Sequence, residues 1–220
     1  MIPVLGVPIL TKHELLQPML DSIDVEVGRI IVIDNGMVLP PSERVIHPGR
    51  NLGVAASWNR IIEMTPDAAW WALVNFDLVF GAGDLDRLTE HMERVGGCAI
   101  LSTFQAFGVD RKAIDTAGTF DENFHPAYFE DNDFDYRCRL TGVPLHGLSS
   151  RIDHKISSTI SVPVFRRENN RTFPINSAYY RRKWGGPPRE EVFTTPFNRG
   201  GSPAFWELEP DRLELLSWKI

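Results

Sequence analysis

The chain has 220 residues, of which 43% are hydrophobic, and a formal net charge of −6. This length and composition allow one domain with a full core, or two halves that share one sheet. A membrane-spanning helix is excluded because no run approaches about 18 continuous apolar residues. The charge is uneven, with 11 basic and 21 acidic residues over 1–150 (net −10) but 12 basic and 8 acidic over 151–220 (net +4).

Apolar runs alternate with helical patterns along the first 102 residues. The strands are predicted at Ile2–Ile9, Arg29–Ile33, Arg44–His47, Ala69–Asn75 and Cys98–Ser102, and the helices at His13–Ile23 (with Thr11 as its N-cap), Gly53–Met64 and Leu85–Val95. Such alternation is typical of βα units, and it predicts the α/β class with a largely parallel sheet.

The pattern changes after residue 102. Residues 103–129 are aromatic and are predicted to be mostly loop, a helix is predicted from Asp131 to Leu140, and a strand over Pro144–Asp153. Periodicity fades in the last sixty residues. Two cysteines, Cys98 and Cys138, do not form a disulfide framework, and we expect both to be buried as small hydrophobes. We therefore predict a reducing compartment and a cytoplasmic location.

Four carboxylates fall within the six residues from Glu130 to Asp135. Clustered carboxylates repel one another, so a fold keeps them together only if a cation, an arginine or a proton relieves the repulsion. The simpler interpretation is a solvated helix start, with acids near the positive end of the helix dipole and Asp133 paired with Arg137 at i,i+4.

Polar residues also follow the predicted second and third strands. Asp34 ends an apolar strand, and Asn51, Gly53 and Asn59 lie around the start of the next helix. Ligands bind at the carboxyl ends of parallel strands, so these residues are candidates for a base, ribose or phosphate site. A turn-forming Asp34 and an N-capping Asn51 remain the alternatives, whereas Asn59 in mid-helix is harder to explain because Asn is a poor helix former.

Asn75 and Asp77 follow the most apolar strand, and His154 follows a later one. Mg²⁺ prefers oxygen ligands and usually joins one or two carboxylates to substrate phosphates, while an imidazole nitrogen suits Mn²⁺ better. Asp77 and His154 are therefore candidate metal ligands. A structural histidine is the alternative for His154.

Basic residues crowd the segment 166–183, where one acid opposes them. The cations are Arg166, Arg167, Arg171, Arg181, Arg182 and Lys183, and the acid is Glu168. An anionic ligand and a solvated basic surface both fit this composition.

Taken in order, these motifs resemble those of the family-2 glycosyltransferases, which have the GT-A fold. The matching residues are Asp34, then Asn51, Gly53 and Asn59, then Asn75 and Asp77, then Phe120-Asp121-Glu122-Asn123-Phe124, then Glu130, Asp131, Asp133 and Arg137, then His154. The segment Asn176–Gly186, which contains Lys183-Trp184, is similar to a C-terminal element of rhamnosyltransferase-like members. The match covers roughly residues 3 to 186.

The resemblance implies a GT-A, Rossmann-like, three-layer α/β/α sandwich with a mostly parallel central sheet. It implies one domain over 1–190, with a nucleotide-sugar-binding half (1–102), an acceptor half (103–190) and a tail over 191–220. The implied donor is a UDP-, dTDP- or GDP-linked sugar, with Mn²⁺ or Mg²⁺. The implied acceptor is a glycan, a lipid-linked glycan, a protein or a modified nucleic acid.

The resemblance also implies roles for single residues. Asp131 would be the general base of an inverting transfer, Glu130 would position a substrate, and Asp77 with His154 would hold the metal. The implied donor-binding residues are Pro8, Asp34, Asn51, Gly53, Asn59, Asn75, Arg137, Lys183 and Trp184.

The chain departs from the family pattern at Asn75, where an acid is usual. A non-catalytic sugar- or nucleotide-binding module is therefore one alternative to a glycosyltransferase. A sugar nucleotidyltransferase is the other, although the segment Gly6–Lys12 does not supply the glycine-rich phosphate loop that such an enzyme needs.

Overall fold

The structure is a computed structural model, and it describes residues 1–154 and 158–198. The strands are β1 (Ile2–Ile9), β2 (Val27–Asp34), β3 (Val45–Ile46), β4 (Trp70–Val74), β5 (Leu78–Val79), β6 (Cys98–Ile100), β7 (Ala106–Asp110), β8 (Leu145–Gly147) and β9 (Asp153–His154). The helices are α1 (Leu16–Asp21), α2 (Gly53–Met64), α3 (Asp84–Arg94), α4 (Arg111–Ala117), α5 (Glu130–Thr141) and α6 (Pro163–Trp184). Two short 3-10 turns lie at His13–Leu15 and Thr159–Ser161.

Seven strands form the central sheet in the order β3-β2-β1-β4-β7-β6-β8. The pairs β3–β2, β2–β1, β1–β4 and β6–β8 are parallel, and β7 runs antiparallel to both of its neighbours. The predicted α/β class and mostly parallel sheet are confirmed.

Helices cover both faces of the sheet. One apolar cluster packs α1 and α3 on one face through residues such as Met19 and Leu88. The other packs α2, α4 and α5 on the opposite face. On this second face Gly6 of β1 lets α2 approach closely, since a Cβ at that position would lie 2.7 Å from Ile61 Cδ1. The three-layer sandwich is therefore confirmed.

The structure corrects three predicted elements. Residues 103–129, predicted to be mostly loop, contain β7 and α4, and the Asp110 side chain caps α4 by accepting a hydrogen bond from Ala113 N at 2.6 Å. The predicted strand over Pro144–Asp153 is two short strands that belong to different sheets. The first helix is a 3-10 turn followed by α1, and Lys12, in the left-handed region, replaces Thr11 at its start.

The region without readable periodicity holds the longest helix among the described residues. Helix α6 has 22 residues, begins at Pro163 and ends at Trp184, and Gly185, just past its end, has a φ of 79°. Proline is favoured in the first turn and glycine just past the end of a helix. Pro174 lies inside the helix. The positive net charge of this part of the chain thus lies largely on one continuous helix.

A buried ion network joins α6 to the start of α5. Lys183 Nζ lies 2.7 Å from Asp121 Oδ2 and 2.6 Å from Asp133 Oδ1. Trp184 Nε1 donates to Asp133 Oδ1 at 2.8 Å, and Arg137 Nε donates to Asp133 Oδ2 at 2.8 Å. Burial alone would raise the pKa of Asp121, but the Lys183 charge and several hydrogen bonds outweigh it and lower that pKa. The network fixes the first turn of α5 against the end of α6.

Cys98 and Cys138 are both unpaired and buried, as predicted. None of the helices over residues 1–154 and 158–198 is long and apolar enough to cross a membrane.

Replacing Lys183 by Met should strongly destabilise the fold. The variant keeps the apolar stem but leaves two buried carboxylates without their shared cation, a loss that typically costs about 3 kcal/mol. We expect urea unfolding, followed by far-UV circular dichroism, to show that decrease. Arg181→Met is the matched control, because Arg181 is exposed on the same helix and should change stability by less than about 0.5 kcal/mol. Equal unfolding midpoints for Lys183→Met and the wild-type protein would contradict the role of Lys183.

Candidate active site

One cavity of about 410 Å³ lies at the carboxyl ends of β1, β2 and β4. The starts of α2, α5 and α6 close its other sides. Eight of the predicted site residues line it: Pro8, Asn51, Gly53, Asn75, Asp77, Glu130, Asp131 and His154. Residues that are far apart in the chain therefore meet at the edge of the sheet where parallel strands present their ligand-binding loops.

Asp77 and His154 face each other across a two-stranded sheet. β5 and β9 pair antiparallel with Leu78 opposite His154, which brings His154 Nε2 to 3.2 Å from Asp77 Oδ1. Ser158, which the sequence analysis did not identify, donates a hydrogen bond to Asp77 Oδ2 at 2.5 Å. The pair offers one carboxylate and one imidazole, a donor set that suits Mn²⁺.

A metal at this pair would need further ligands from a substrate. Among residues 1–154 and 158–198, no three His, Cys, Asp or Glu side chains lie close enough together to hold a metal ion. One or two protein ligands that leave several coordination positions open are the usual arrangement for a cation that binds substrate phosphates. The residues present therefore fit a divalent cation shared with a diphosphate.

Glu130 and Asp131 form the first turn of α5 at the cavity wall. The two residues before them, Tyr128 and Phe129, both have a φ of 76°, a backbone conformation that costs free energy for residues other than glycine. Glu130 is 6% exposed, and its Oε2 has no hydrogen-bond partner among the described residues. Asp131 Oδ1 accepts from Asn132 N at 2.8 Å.

The two acids differ in how readily they ionise. Burial raises the pKa of Glu130 well above its usual range, and the neighbouring Asp131 charge adds to the effect. Burial also raises the pKa of Asp131, while the Asn132 N–H partly opposes that rise. The rise is larger at Glu130, so burial disfavours its ionised form more strongly than that of Asp131.

The other two acids of this cluster have basic partners. Asp133 is paired with Lys183 and Arg137, and Asp135 Oδ2 lies 3.0 Å from Arg139 Nη2. The cluster is therefore not a solvated helix start, although the Asp133–Arg137 pair expected at i,i+4 is present. It is divided into two ion-paired carboxylates and two carboxyl groups that line the cavity.

Asp34 lies beside the cavity and does not line it. Its buried Oδ2 accepts from Val38 N at 2.8 Å and from Leu39 N at 2.7 Å, and His13 Nε2 lies 2.9 Å from its Oδ1. Burial alone would raise the pKa of Asp34, but His13 and the backbone N–H groups lower it. The next residue, Asn35, lines the cavity in its place.

Four other predicted donor-binding residues lie away from the cavity: Asn59, Arg137, Lys183 and Trp184. Asn59 exchanges two hydrogen bonds with the backbone of Phe120, at 2.8 and 2.9 Å. Arg137, Lys183 and Trp184 donate to the buried Asp133. Polar residues in these motifs thus hold the 120–124 segment and α5 in place. In this structure they do not lie where they would contact a donor in the cavity.

Several cavity residues were missed by the sequence analysis. They are Trp58 on α2, Phe104 and Gln105 before β7, Tyr128 before α5, and Phe165, Glu168 and Asn169 on α6. The last three have the i, i+3, i+4 spacing of one helix face. That spacing would have indicated a shared face only if a helix had been predicted for this segment.

No protein-family model and no curated protein matches the sequence. Solved structures do match. The mannosyltransferase PcManGT from Pyrobaculum calidifontis, in complex with GDP-Man and Mn²⁺, has a TM-score of 0.59 over 85% of this chain at 11% identity. S. aureus TarS 1-349 in complex with UDP has a TM-score of 0.56 over 80% of this chain at 11% identity.

A Drosophila β1,4-galactosyltransferase 7 mutant, in complex with manganese, UDP-Gal and xylobiose, has a TM-score of 0.50 over 66% of this chain at 14% identity. The chain spans 66%, 65% and 63% of the lengths of these three proteins, respectively. Likeness at such low identity concerns the fold. The chain has the GT-A fold of these glycosyltransferases, which confirms the fold predicted from the sequence.

Proposed function

We propose that this protein is a metal-dependent glycosyltransferase that moves a hexosyl or deoxyhexosyl group from a nucleotide sugar to an acceptor hydroxyl. One observation carries the proposal: the Asp77–His154 pair and the Glu130–Asp131 pair line the same cavity. A transfer of this kind needs a cationic site for a departing diphosphate and a base for an incoming hydroxyl, in one enclosed space.

The bound ligands of the structural neighbours support the class of donor. Those neighbours hold GDP-Man with Mn²⁺, UDP-Gal with manganese, and UDP. We propose a nucleoside diphosphate sugar for this chain, with its nucleotide near the β1 end and the Asn51–Gly53 turn. Pro8, Asn51 and Gly53 line the cavity there.

Asp77 and His154 would hold a divalent cation. Such a cation, when bound, stabilises the negative charge that builds up on the departing diphosphate. The protein's own contribution is to orient the carboxylate and imidazole: the β5–β9 pairing and the Ser158 hydroxyl keep Asp77 turned toward His154.

Asp131 is assigned as the general base. As the acceptor oxygen bonds to the anomeric carbon and the bond to the diphosphate oxygen breaks, Asp131 takes the proton of the acceptor hydroxyl. This single displacement inverts the anomeric configuration. Glu130, whose pKa is raised well above its usual range by burial, lies beside it and is placed to hydrogen-bond to a sugar.

A non-catalytic binding module is the second candidate. The observation that favours it is Asn75, which lines the cavity where an acid would strengthen the metal site. A binding module would take up nucleotide sugars without releasing nucleoside diphosphate, so the experiments below separate the two candidates.

Asp131→Asn should abolish transfer because the amide cannot accept the acceptor's proton. We expect turnover to fall by on the order of 10² to 10⁴. The measurement is nucleoside diphosphate release from a panel of UDP-, dTDP- and GDP-linked sugars with Mn²⁺, while calorimetry follows donor affinity, which should stay within about tenfold. Asp115→Asn, at an exposed position of α4, is the control. Normal turnover by Asp131→Asn would sink the assignment.

Asp77→Ala should remove the dependence of donor binding on the metal. In the wild-type protein, Mn²⁺ should tighten binding of the nucleotide sugar, and chelation should reverse that gain. In the variant we expect about the same affinity with and without Mn²⁺, because one of the two protein ligands is gone. Titration calorimetry checks this, with Asp86→Ala as an exposed control. If Asp77→Ala retained the full effect of Mn²⁺, the proposed metal site would be wrong.

The pH profile should report the raised pKa of Asp131. The base acts in its ionised form, so kcat should be full above that pKa and fall as the pH decreases through it. Because burial raises the pKa, the midpoint should lie above the ordinary aspartate value of about 3.9. Saturating-substrate rates across the acid range measure it, with circular dichroism at each pH to verify folding. A midpoint below about 3.9 would contradict the assigned environment.

A further inference from the structure

Two exposed aromatic side chains contact each other at the edge of the cavity. Tyr128 lines the cavity and is 39% exposed, and Phe173 on α6 is 43% exposed. Their ring centroids are 5.4 Å apart. Over residues 1–154 and 158–198, no other Phe, Tyr or Trp is exposed. Single exposed hydrophobic residues are ordinary, but a contacting aromatic pair that adjoins a cavity is typical of a binding surface.

Phe173 ends a row of side chains that begins inside the cavity. Phe165, Asn169 and Phe173 follow one another at i, i+4 and i+8 and form the α6 row, and the first two line the cavity with Glu168 beside them. Four residues advance about 6 Å along a helix and turn about 40° around it. The row is therefore about 12 Å long and turns away from the cavity toward the surface. That length exceeds a single pyranose ring.

The protein fixes both exposed rings in place. Phe173 packs on Phe129 as well as on Tyr128, with a centroid distance of 5.1 Å to Phe129. The buried Asn176 of α6 ties the preceding segment to the helix, because its Nδ2 donates to Ala127 O at 2.9 Å. Rings that are already held lose little conformational freedom when a ligand packs on them, which favours binding.

The side chains of this surface match a sugar chain. An aromatic ring packs on the C–H face of a pyranose, and the Asn169 amide and the Glu168 carboxylate can bond to sugar hydroxyls. Both polar side chains are partly exposed and line the cavity, so a ligand can reach them. The carboxyl groups of Glu168 and Asp131 would repel the phosphates of a nucleic acid. Among the acceptor classes, an oligosaccharide therefore fits best.

The position of the surface favours the acceptor over the donor. Tyr128 lies three residues before Asp131, the assigned base, so the surface begins beside the atom that receives the acceptor's proton. The nucleotide and the diphosphate are both assigned to residues that line the cavity, whereas Phe173 lies beyond the cavity wall. The exposed part of the surface is therefore left for the acceptor.

We propose that the acceptor is an oligosaccharide of neutral sugars, and that the α6 row and Tyr128 bind it in two subsites. In the first subsite, inside the cavity, Glu168 and Asn169 bond to the sugar that carries the reacting hydroxyl. In the second subsite, outside the cavity, Tyr128 and Phe173 pack on the next sugar of the chain. The inference rests on the proposed function, because it takes Asp131 as the base.

The first test compares acceptors of one and two sugar units. The donor is the sugar nucleotide that the wild-type protein turns over fastest with Mn²⁺. The acceptors are nitrophenyl glycosides of xylose, glucose, galactose, mannose and N-acetylglucosamine, each with its matched disaccharide. For the preferred sugar, the wild-type KM should be about fivefold to tenfold lower for the disaccharide. Phe173→Ala should abolish that difference by raising the disaccharide KM, and the monosaccharide KM should stay within about twofold.

Asn169→Ala should raise the KM of both acceptors by about fivefold, because the amide bonds to the first sugar. Asn170→Ala is its matched control, since Asn170 is the next residue of α6 but is exposed and lies outside the cavity lining. Val164→Ala, at an exposed apolar position outside the α6 row, is the control for Phe173→Ala. Neither control should change either KM. Calorimetry with the donor and melting temperatures verify that all four variants fold and bind the sugar nucleotide.

Several results would overturn this inference while the glycosyltransferase proposal stands. One is an equal KM for the monosaccharide and the disaccharide in the wild-type protein, and another is a disaccharide preference that survives Phe173→Ala. A third is release of nucleoside diphosphate with none of the saccharides accepted, including transfer only to a peptide, a lipid or an RNA. If the wild-type protein neither binds nor turns over any sugar nucleotide, the proposed function itself fails, and this inference fails with it.

Saturation-transfer NMR supplies a readout that does not depend on turnover. The sample holds wild-type protein, Mg²⁺, the nucleoside diphosphate of the preferred donor and the disaccharide. Saturation of the protein should pass to the C–H protons of both sugar units. In Phe173→Ala the second unit should lose this transfer while the first unit keeps it. A wild-type spectrum without transfer to the second unit, or equal transfer to both units in Phe173→Ala, would overturn the second subsite.

Discussion

The whole site depends on how the fold resolves the repulsion among four carboxylates in one helical turn and a half. Asp133 and Asp135 turn toward cations, and Asp133 in particular shares Lys183 with Asp121. Since a buried carboxylate is stable only when paired, this network decides where the start of α5 sits. Glu130 and Asp131, in the first turn of the same helix, then line the cavity.

That arrangement places backbone strain and two carboxyl groups at the wall of the cavity. Tyr128 and Phe129 hold an unfavourable backbone conformation just before the acid pair, and the pKa values of both acids are raised by burial. Features of this kind persist only when the surrounding structure fixes them, and here Lys183 of α6 supplies the fixing cation. The stability of α6 and the reactivity of the acid pair are therefore coupled.

The sequence predicted those helices and strands that are specified by a clear local pattern of apolar residues and turn signals. Helix α2 was predicted with its observed bounds, and β1 likewise, because both have clear periodicity between turn signals. Helix α6 was missed because half of its six buried residues are polar (Thr172, Asn176 and Lys183) and because Pro174 interrupts the expected helical composition. Tertiary contacts decide whether a polar residue in a sequence motif faces a ligand or another side chain. The spacing of motifs in the sequence therefore could not show whether Asn59 and Lys183 bind a donor.

The residues that best indicate function are those that line the cavity. Asn59, Lys183 and Trp184 are prominent in the motifs, yet each satisfies its polar atoms within the protein. Asp77, His154, Glu130 and Asp131 line the cavity instead. With structural neighbours at 11–14% identity, the residues that line this cavity carry information about the ligand that the shared fold does not.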